Sequence, residues 1–525
     1  MNRIPTPARR VRPALVALRL ALALLLGSAV ACERQGEGQR PSALVIGLDG
    51  ATWTLLRPWM EQGDLPHLKA LVDSGVSGDL NSVVPFLSPP AWTSAVTGVN
   101  PGKHGIFDFL RRLPGQAMVV NETSRSRRVD PIWLILSEAG FKVGIVNVPA
   151  SDPPDVVNGF MISGMPHVGT RDYTYPKELE ARLDDYRIDK MDINLVKDHE
   201  GDLLDDLVTT MRRRNANVEK LLETEEWDFA WTVVTSTDRI QHFFWQFMDP
   251  EWPGYDAAKA AQYGNAIHDL WVEVDGHLGR VVAAARAKKG DLPILLVSDH
   301  GFGPVHREFR IQSFLRNPPA GQEPVATTYS YETNGALLYF NVLGREPNGV
   351  VPRDQFAVEQ AEVVRRLKGT RDPETGLSPM RNIFTNEQAY AGTYSEKGPD
   401  VSMVPSPEVY ISNDKGHREP WGTPSYTFSG HHEMEGIIVA TGGPFLKGRL
   451  DSGASLLDVT PTLLYLLGQP VPDYSDGRVI TTIFSPEFLK KNPVKTGARA
   501  LPAGAPDDTS AAQGVPYLQG LPYLR

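Results

Sequence analysis

An aspartate that ends a buried strand, an aspartate and a histidine one helical turn apart, and an adjacent Asp-His pair are combinations that can hold a metal ion. This chain has all three. Asp49 closes the apolar run Val45-Ile46-Gly47-Leu48. Asp238 stands four residues before His242, a spacing that puts both side chains on one face of a helix. Asp299-His300 follow Ile294-Leu295-Leu296-Val297-Ser298. A further histidine, His432, precedes Glu433-Met434-Glu435-Gly436 and another apolar run. Mixed carboxylate and imidazole donors suit zinc, and manganese less well.

Ser88 is the candidate nucleophile. It opens Ser88-Pro89-Pro90-Ala91-Trp92-Thr93-Ser94-Ala95-Val96-Thr97-Gly98. Serine is a favoured helix N-cap, proline is favoured in the first turn, and Gly98 is a suitable stop. The spacing therefore predicts a short helix with Ser88 at its mouth, where free N–H groups and the helix dipole favour phosphate. The simpler alternative is a serine that only caps the helix.

These residues need a scaffold that brings them together. Ala43 to Leu48, Phe141 to Val148, Phe229 to Thr235, Ile294 to Val297 and Ile437 to Ala440 read as buried strands, with helical patterns such as Leu65 to Val72 between them. Continuous apolar strands separated by helices imply an α/β fold with a mainly parallel central sheet covered by helices on both faces. In such a sheet the carboxyl ends of the strands share one edge, where ligands bind. Three carboxylates meeting there would repel one another unless a cation held them. Residues 312–426 break the rhythm with Pro-rich loops, a strand at Ala336 to Val342 and a helix around Gln355 to Leu367. This segment reads as an inserted lid beside the site.

The chain has 525 residues, 41% hydrophobic and 22% charged, with a net charge of −10. That length fits one large domain enlarged by insertions. The negative charge argues against binding to a nucleic-acid polymer. It leaves a small anionic substrate open, because bound cations reverse the local field. Arg3, Arg9, Arg10 and Arg12 form a basic leader, followed by the apolar stretch Ala14 to Val30 and then Ala29-Val30-Ala31-Cys32. This is the layout of a secretory signal. Cys32 is the only cysteine. The pattern resembles a bacterial lipoprotein signal over residues 1–32, with Ala29 where leucine is usual. It implies export and a membrane anchor through lipidated Cys32, facing the periplasm or the cell exterior. An ordinary cleaved signal, an uncleaved anchor and twin-arginine export through Arg9-Arg10 are the alternatives. Residues 33–42 read as a flexible tether, and residues 487–525 as a mostly irregular tail rich in Ala, Pro and Gly.

Taken in order, Asp49-Gly50, the Ser88 segment running to Thr97-Gly98 and His104-Gly105-Ile106, Asp238 with His242, Asp299-His300-Gly301 and His432 form an ordered set. The set resembles the type I phosphodiesterase and nucleotide pyrophosphatase branch of the alkaline phosphatase superfamily. Asp238 to Trp245, Gly344-Arg345-Glu346-Pro347, Asp372 to Gly376 and Asp476-Gly477-Arg478 resemble a bacterial phosphohydrolase and phosphomutase group within it. The resemblance covers 43–486, which it implies is an alkaline phosphatase-like catalytic domain.

The resemblance implies two divalent metal ions, zinc or alternatively manganese. Asp238, His242 and His432 would hold one. Asp49, Asp299, His300 and the oxygen of Ser88 would hold the other. His432 is preferred over His431 because its spacing to Gly436 fits the family pattern. The implied reaction is hydrolysis of a small phosphoester, monoester or diester, through a phosphoserine. Two departures stand out. Phe109 occupies the position of an asparagine that binds phosphoryl oxygens, leaving Lys103, His306, Arg307 and Arg310 as substitute donors. The arginine of the sulfatase signature is absent after Ser88. A phosphomutase and a non-catalytic surface lipoprotein that keeps the fold are the rival readings. The cluster Phe243-Phe244-Trp245 reads either as core or as a stacking surface for a nucleobase.

Overall fold

The computed structural model describes residues 40–501 apart from 114–118, 168–170, 191–194, 319–323, 326–327, 330–335, 427 and 451–452. The basic leader, Cys32, most of the expected tether and the end of the expected tail lie outside the described residues.

Nine strands form the central sheet. They are β1 (Ala43–Leu48), β2 (Val76–Asn81), β3 (Val143–Val148), β4 (Gly159–Ser163), β5 (Thr174–Tyr175), β6 (Phe229–Val234), β7 (Ile294–Val297), β8 (Glu435–Thr441) and β9 (Gly448–Arg449), in the spatial order β9-β2-β8-β7-β1-β6-β3-β4-β5. The block β7-β1-β6-β3-β4 is parallel throughout. This gives the mainly parallel sheet expected from the apolar runs. Two strands are exceptions: the short edge strand β5 runs antiparallel to β4, and β8 runs antiparallel to both β2 and β7. The all-apolar interior of β8 cannot report direction, since any strand buried on both faces reads that way.

Two apolar cores lie on the two faces of the sheet. Alternation along β1 sends Leu44, Ile46 and Leu48 to one core and Ala43 and Val45 to the other. Helices α1 (Pro66–Ser74), α2 (Ser88–Thr97), α3 (Glu200–Thr224), α4 (Ser236–Met248), α5 (Ala266–Lys289), α6 (Phe356–Gly369) and α7 (Val459–Leu466) carry much of the packing. α1, α3, α4 and α5 supply the core on the Leu44 face, while α2 and α7 supply the other. Phe243, Phe244 and Trp245 are buried in the first core, and Trp245 stacks on Phe302 with ring centroids 5.8 Å apart. They are core residues rather than a stacking surface.

Within residues 312–426, strands Thr328–Tyr329, Leu337–Phe340, Met380–Thr385 and Val401–Pro405 form a separate four-stranded sheet. Val363 and Leu367 of α6 pack on it in a third apolar cluster with Phe309 and Ile311. Past residue 486, a short helix (Pro486–Lys491) is followed by a strand, Thr496–Gly497, that pairs with Val471–Pro472. No helix among the described residues is long and apolar enough to cross a membrane.

Candidate metal centre

The carboxyl edge of the parallel block collects the expected residues. Asp49 follows β1 directly. Asp299-His300 follow β7 after Ser298. Asp238 lies in the first turn of α4, which begins two residues after β6. His432 arrives on strand Gly430–Glu433, antiparallel to Gly301–Pro304. All are buried.

Donor atoms within 4.8 Å of one another form three overlapping groups, Asp49-Asp299-His300, Asp238-His300-His432 and His242-His431-His432. Asp238 Oδ1 is central. It lies 3.0 Å from His432 Nε2, 3.3 Å from His242 Nε2 and 3.9 Å from His300 Nε2. His300 Nε2 lies 3.2 Å from Asp299 Oδ2 and 3.6 Å from Asp49 Oδ1. His431, the alternative set aside on spacing, joins the third group beside His432. Two adjacent histidines on one strand give no sequence signal that both join the cluster.

Backbone carbonyls orient the three rings. Nδ1 of His242 donates to Gly430 O at 2.9 Å, that of His432 to Phe86 O at 3.0 Å, and that of His300 to Gly301 O at 3.0 Å. A proton on Nδ1 leaves Nε2 as the lone-pair donor, the form in which histidine binds a metal. Asp49 Oδ2 accepts from Trp92 Nε1 at 2.9 Å, and Asp299 Oδ1 from the Gly50 N–H at 3.3 Å. The other oxygens, Asp49 Oδ1 and Asp299 Oδ2, and His300 Nε2 are buried with no hydrogen-bond partner. Such groups are costly without a partner, and these three converge on one point, so the residues fit a bound cation.

The electrostatics agree. Burial, reinforced by the charges of Asp299 and Asp238, pushes the Asp49 carboxyl well above the usual carboxylate range. Burial and Asp238 do the same to Asp299. Burial opposes ionisation of Asp238 too, but His242 and His432 outweigh it and hold that carboxyl well below the usual range. Burial also lowers His300 and His432. Gly50 sits at φ +66, where a Cβ would meet Phe302 Cδ2 at 2.9 Å and the Asp238 backbone at 3.2 Å. Glycine after Asp49 is what lets α4 approach the end of β1.

Ser88 is the first residue of α2. The cap position belongs to Leu87, which makes no side-chain cap bond. This shifts the expected helix start by one residue and removes the capping role considered for the serine. Pro89 and Pro90 lack N–H groups, and the Ala91 N–H bonds to Leu87 O, so the Ser88 N–H is the one first-turn donor left outside the helix ladder. Two contacts tie the residues flanking Ser88 to the cluster. Phe86, two residues earlier, accepts from His432. Trp92, one turn later on the same helix face, donates to Asp49.

The substitute phosphate donors are engaged elsewhere. Lys103 pairs with Asp476, His306 with Asp249 and Glu408, Arg307 with Asp372 and Glu374, and Arg310 with Glu308. Phe109 is partly buried against Leu110 and Met165. Several motif residues are likewise structural ties, including Arg345 with Asp400 and Glu346 with Arg112. His104 Nδ1 accepts from the Ile106 N–H, so its Nε2–H donates to Ser94 Oγ at 2.9 Å, bracing α2. Burial and nearby Arg127 lower its pKa to about 3, so the ring stays neutral.

Glu122, on the segment after His104, gives a testable pH dependence. Burial pushes its carboxyl up to about 7, with Ser126 and Arg111 only partly offsetting the effect. An unfolded glutamate titrates near about 4.3. The folded state therefore holds the proton more tightly, and stability present at low pH is lost as pH rises through about 7. The loss is on the order of 3 kcal/mol for a shift of this size. Urea unfolding of Glu122→Gln at pH 5 and pH 8 should show a smaller difference than wild type. Equal differences in the two proteins would rule out Glu122 as the source.

The nine-stranded sheet with its carboxylate and histidine edge defines a protein of the alkaline phosphatase fold. Murine ectonucleotide pyrophosphatase/phosphodiesterase 5 superposes with a TM-score of 0.53 at 16% identity, over 85% of this chain and 100% of that one. Phosphonoacetate hydrolase from Sinorhizobium meliloti 1021, in complex with phosphonoformate, superposes with a TM-score of 0.53 at 16% identity, over 82% of this chain and 95% of that one. A mutant of the alkaline phosphatase PafA gives 0.54 at 14% identity, over 86% and 100%. No curated protein matches the chain in sequence. The sequence profile of the type I phosphodiesterase / nucleotide pyrophosphatase family matches residues 43–435, and the chain belongs to that family.

Proposed function

We propose that the protein is a two-metal phosphoester hydrolase that works through a phosphoserine at Ser88. The convergence of Asp49, Asp299 and His300, with their inner donor atoms unpartnered, carries this reading. Asp238, His242 and His432 would hold one divalent ion. Asp49, Asp299, His300 and Ser88 Oγ would hold the other. When bound, the two ions, zinc by this donor set, supply Lewis acidity that eases loss of the serine proton and offsets charge on the phosphoryl oxygens. Ser88 Oγ then forms a bond to phosphorus as the ester oxygen departs and takes up a proton from solvent. Water completes the cycle by displacing Oγ from the phosphoserine, which restores the hydroxyl and releases the phosphoryl product. The Ser88 N–H, left outside the helix ladder, would donate to a phosphoryl oxygen. The murine relative has been solved with AMP and the hydrolase with phosphonoacetate, ligands with a phosphoryl or phosphonyl group. Hydrolysis of bis-p-nitrophenyl phosphate and p-nitrophenyl phosphate by the purified protein tests the reading and ranks diester against monoester. A well-folded, zinc-supplemented protein inert to both would defeat it.

We also propose that the mature chain begins at lipidated Cys32 and is anchored facing the periplasm or the cell exterior. The apolar leader ending at the only cysteine supports this. A single acyl chain binds a membrane weakly and several bind it stably. Cys32→Ala should move the protein to the soluble fraction or block its processing. Unchanged membrane fractionation and fatty-acid labelling would show that this cysteine is not the anchor.

A further inference from the structure

His431 has no part in either ligand set named above, yet its side chain lies in the same cluster. Its donor nitrogen and those of His242 and His432 all lie within 4.8 Å of one another. The His431 ring stacks on that of His432, with centroids 5.1 Å apart and planes 23° from parallel. Its centroid lies 6.3 Å from that of His242. The residue is 8% exposed, and its Nδ1 is buried with no hydrogen-bond partner. Burying a polar nitrogen unpaired is costly, so this ring needs a partner that the surrounding side chains do not supply.

The backbone fixes where the ring stands. The Ser429 N–H donates to His242 O at 2.8 Å, and Gly430 O accepts from His242 Nδ1 at 2.9 Å. The strand is thus pinned to α4 immediately before His431. A Cβ at Gly430 would meet Gln241 O at 2.5 Å, so glycine is what permits this approach. Aromatic rings wall the imidazole. Tyr410 stands edge-on with centroids 5.1 Å apart, and Phe428 lies at 5.6 Å. Phe428 also stacks on His242, with centroids 4.6 Å apart, so one ring packs against both histidines.

A contact with substrate is the competing role for His431. It lines a cavity of only about 50 Å3, together with Phe86, Arg381 and His432. One water needs roughly 10–15 Å3, and pockets for small molecules start at roughly 300 Å3. The space suits a few waters and no organic group. The partner that the ring needs therefore lies in the cluster itself.

We propose that His431 is a fourth protein ligand of the ion assigned to Asp238, His242 and His432. This inference rests on the two-metal reading. Three imidazoles and one carboxylate would then serve that ion. Zinc takes four ligands readily and expands to five, so a fourth protein donor does not block substrate. The added nitrogen also disfavours manganese, which prefers oxygen donors.

Imidazole 15N spectra of the histidine-labelled protein test this directly. The chain has 12 histidines. Adding zinc to the metal-free protein should move four of them, His242, His300, His431 and His432, into the metal-bound range. The ligand sets without His431 predict three. His431→Leu should abolish the fourth shift and keep the others. In a chelator competition, His431→Leu and His431→Ala should each bind one ion at least ~100-fold more weakly and the other as in wild type, since losing even an outer partner of a ligand costs about 10–100-fold. Three shifted histidines in wild type, or a fourth shift that persists in His431→Leu, would overturn the proposal and leave the two-metal reading standing. Wild-type affinity for both ions in the folded variants, with only KM raised, would give His431 to the substrate and overturn it too. Zinc that shifts no histidine would defeat both readings. Should neither variant fold, the wild-type count of four or three decides.

Discussion

Replacing Ser88 with alanine is expected to lower kcat by ~10^3 or more, since losing a nucleophile costs as much as 10^6 in other enzymes. The folded protein should survive. Ser88 is the first residue of α2 and makes no cap bond, so its hydroxyl contributes little to the helix. Asp49, Asp299 and His300 would remain at their ion, so metal content should hold. Ser88→Thr keeps a hydroxyl and should retain part of the rate. The measurements are kcat for the three proteins and mass spectrometry of acid-quenched enzyme, where wild type alone or with the threonine variant should show an added phosphoryl group. A folded, metal-loaded alanine variant with near wild-type kcat would remove Ser88 from the mechanism.

Asp238→Asn should be equally severe, for a different reason. Its Oδ1 stands within 4 Å of three histidine nitrogens, His242, His300 and His432, so it touches both donor groups. Losing that charge should weaken both sites together. Elemental analysis of wild type should find about two transition-metal ions, the number in a two-metal site. The variant should lose most of both and at least ~10^3 in kcat, comparable with removing a central catalytic group. Exhaustive chelation of wild type should abolish activity and zinc should restore it. Hydrolysis that persists without metal, or an Asp238→Asn protein that keeps two ions, contradicts this account.

Much of the fold was legible because parallel strands buried on both faces announce themselves. β1 and β7 each show an unbroken apolar run and β6 one broken only by Thr232, and the rule that ligands gather at strand carboxyl ends led directly to Asp49, Asp299 and His300. The misses have physical causes. β2 alternates buried with exposed or half-buried positions and includes Ser77, Gly78, Asp79 and Asn81, so it lacks the apolar signature. The direction of β8 depends on tertiary pairing. His432 was preferred over His431 on its spacing to Gly436, and spacing along one strand does not show that both neighbouring rings reach the cluster. The Arg112–Glu346 pair is invisible in sequence, since the two residues meet across more than two hundred positions. Lys103, His306, Arg307 and Arg310 drew notice only as cations, and a sequence does not show which carboxylates already hold them.

The position of β8 bears on how the chain is made. Its residues come late, yet it lies inside the sheet, between β2 and β7, pairing Ile437 with Asp79 and Ile438 with Val297. As the chain grows from its N-terminus, β2 and β7 wait with unpaired edges for a partner more than a hundred residues beyond β7. Open edges of this kind invite pairing with other chains. His432 arrives only just ahead of that strand. A ribosome-bound chain stopped short of residue 432 therefore carries the proposed nucleophile but an incomplete set of candidate histidines. The candidate ligand set is completed and the sheet closed within the same few residues of synthesis, so a truncated product would keep open edges and lack part of the proposed metal centre.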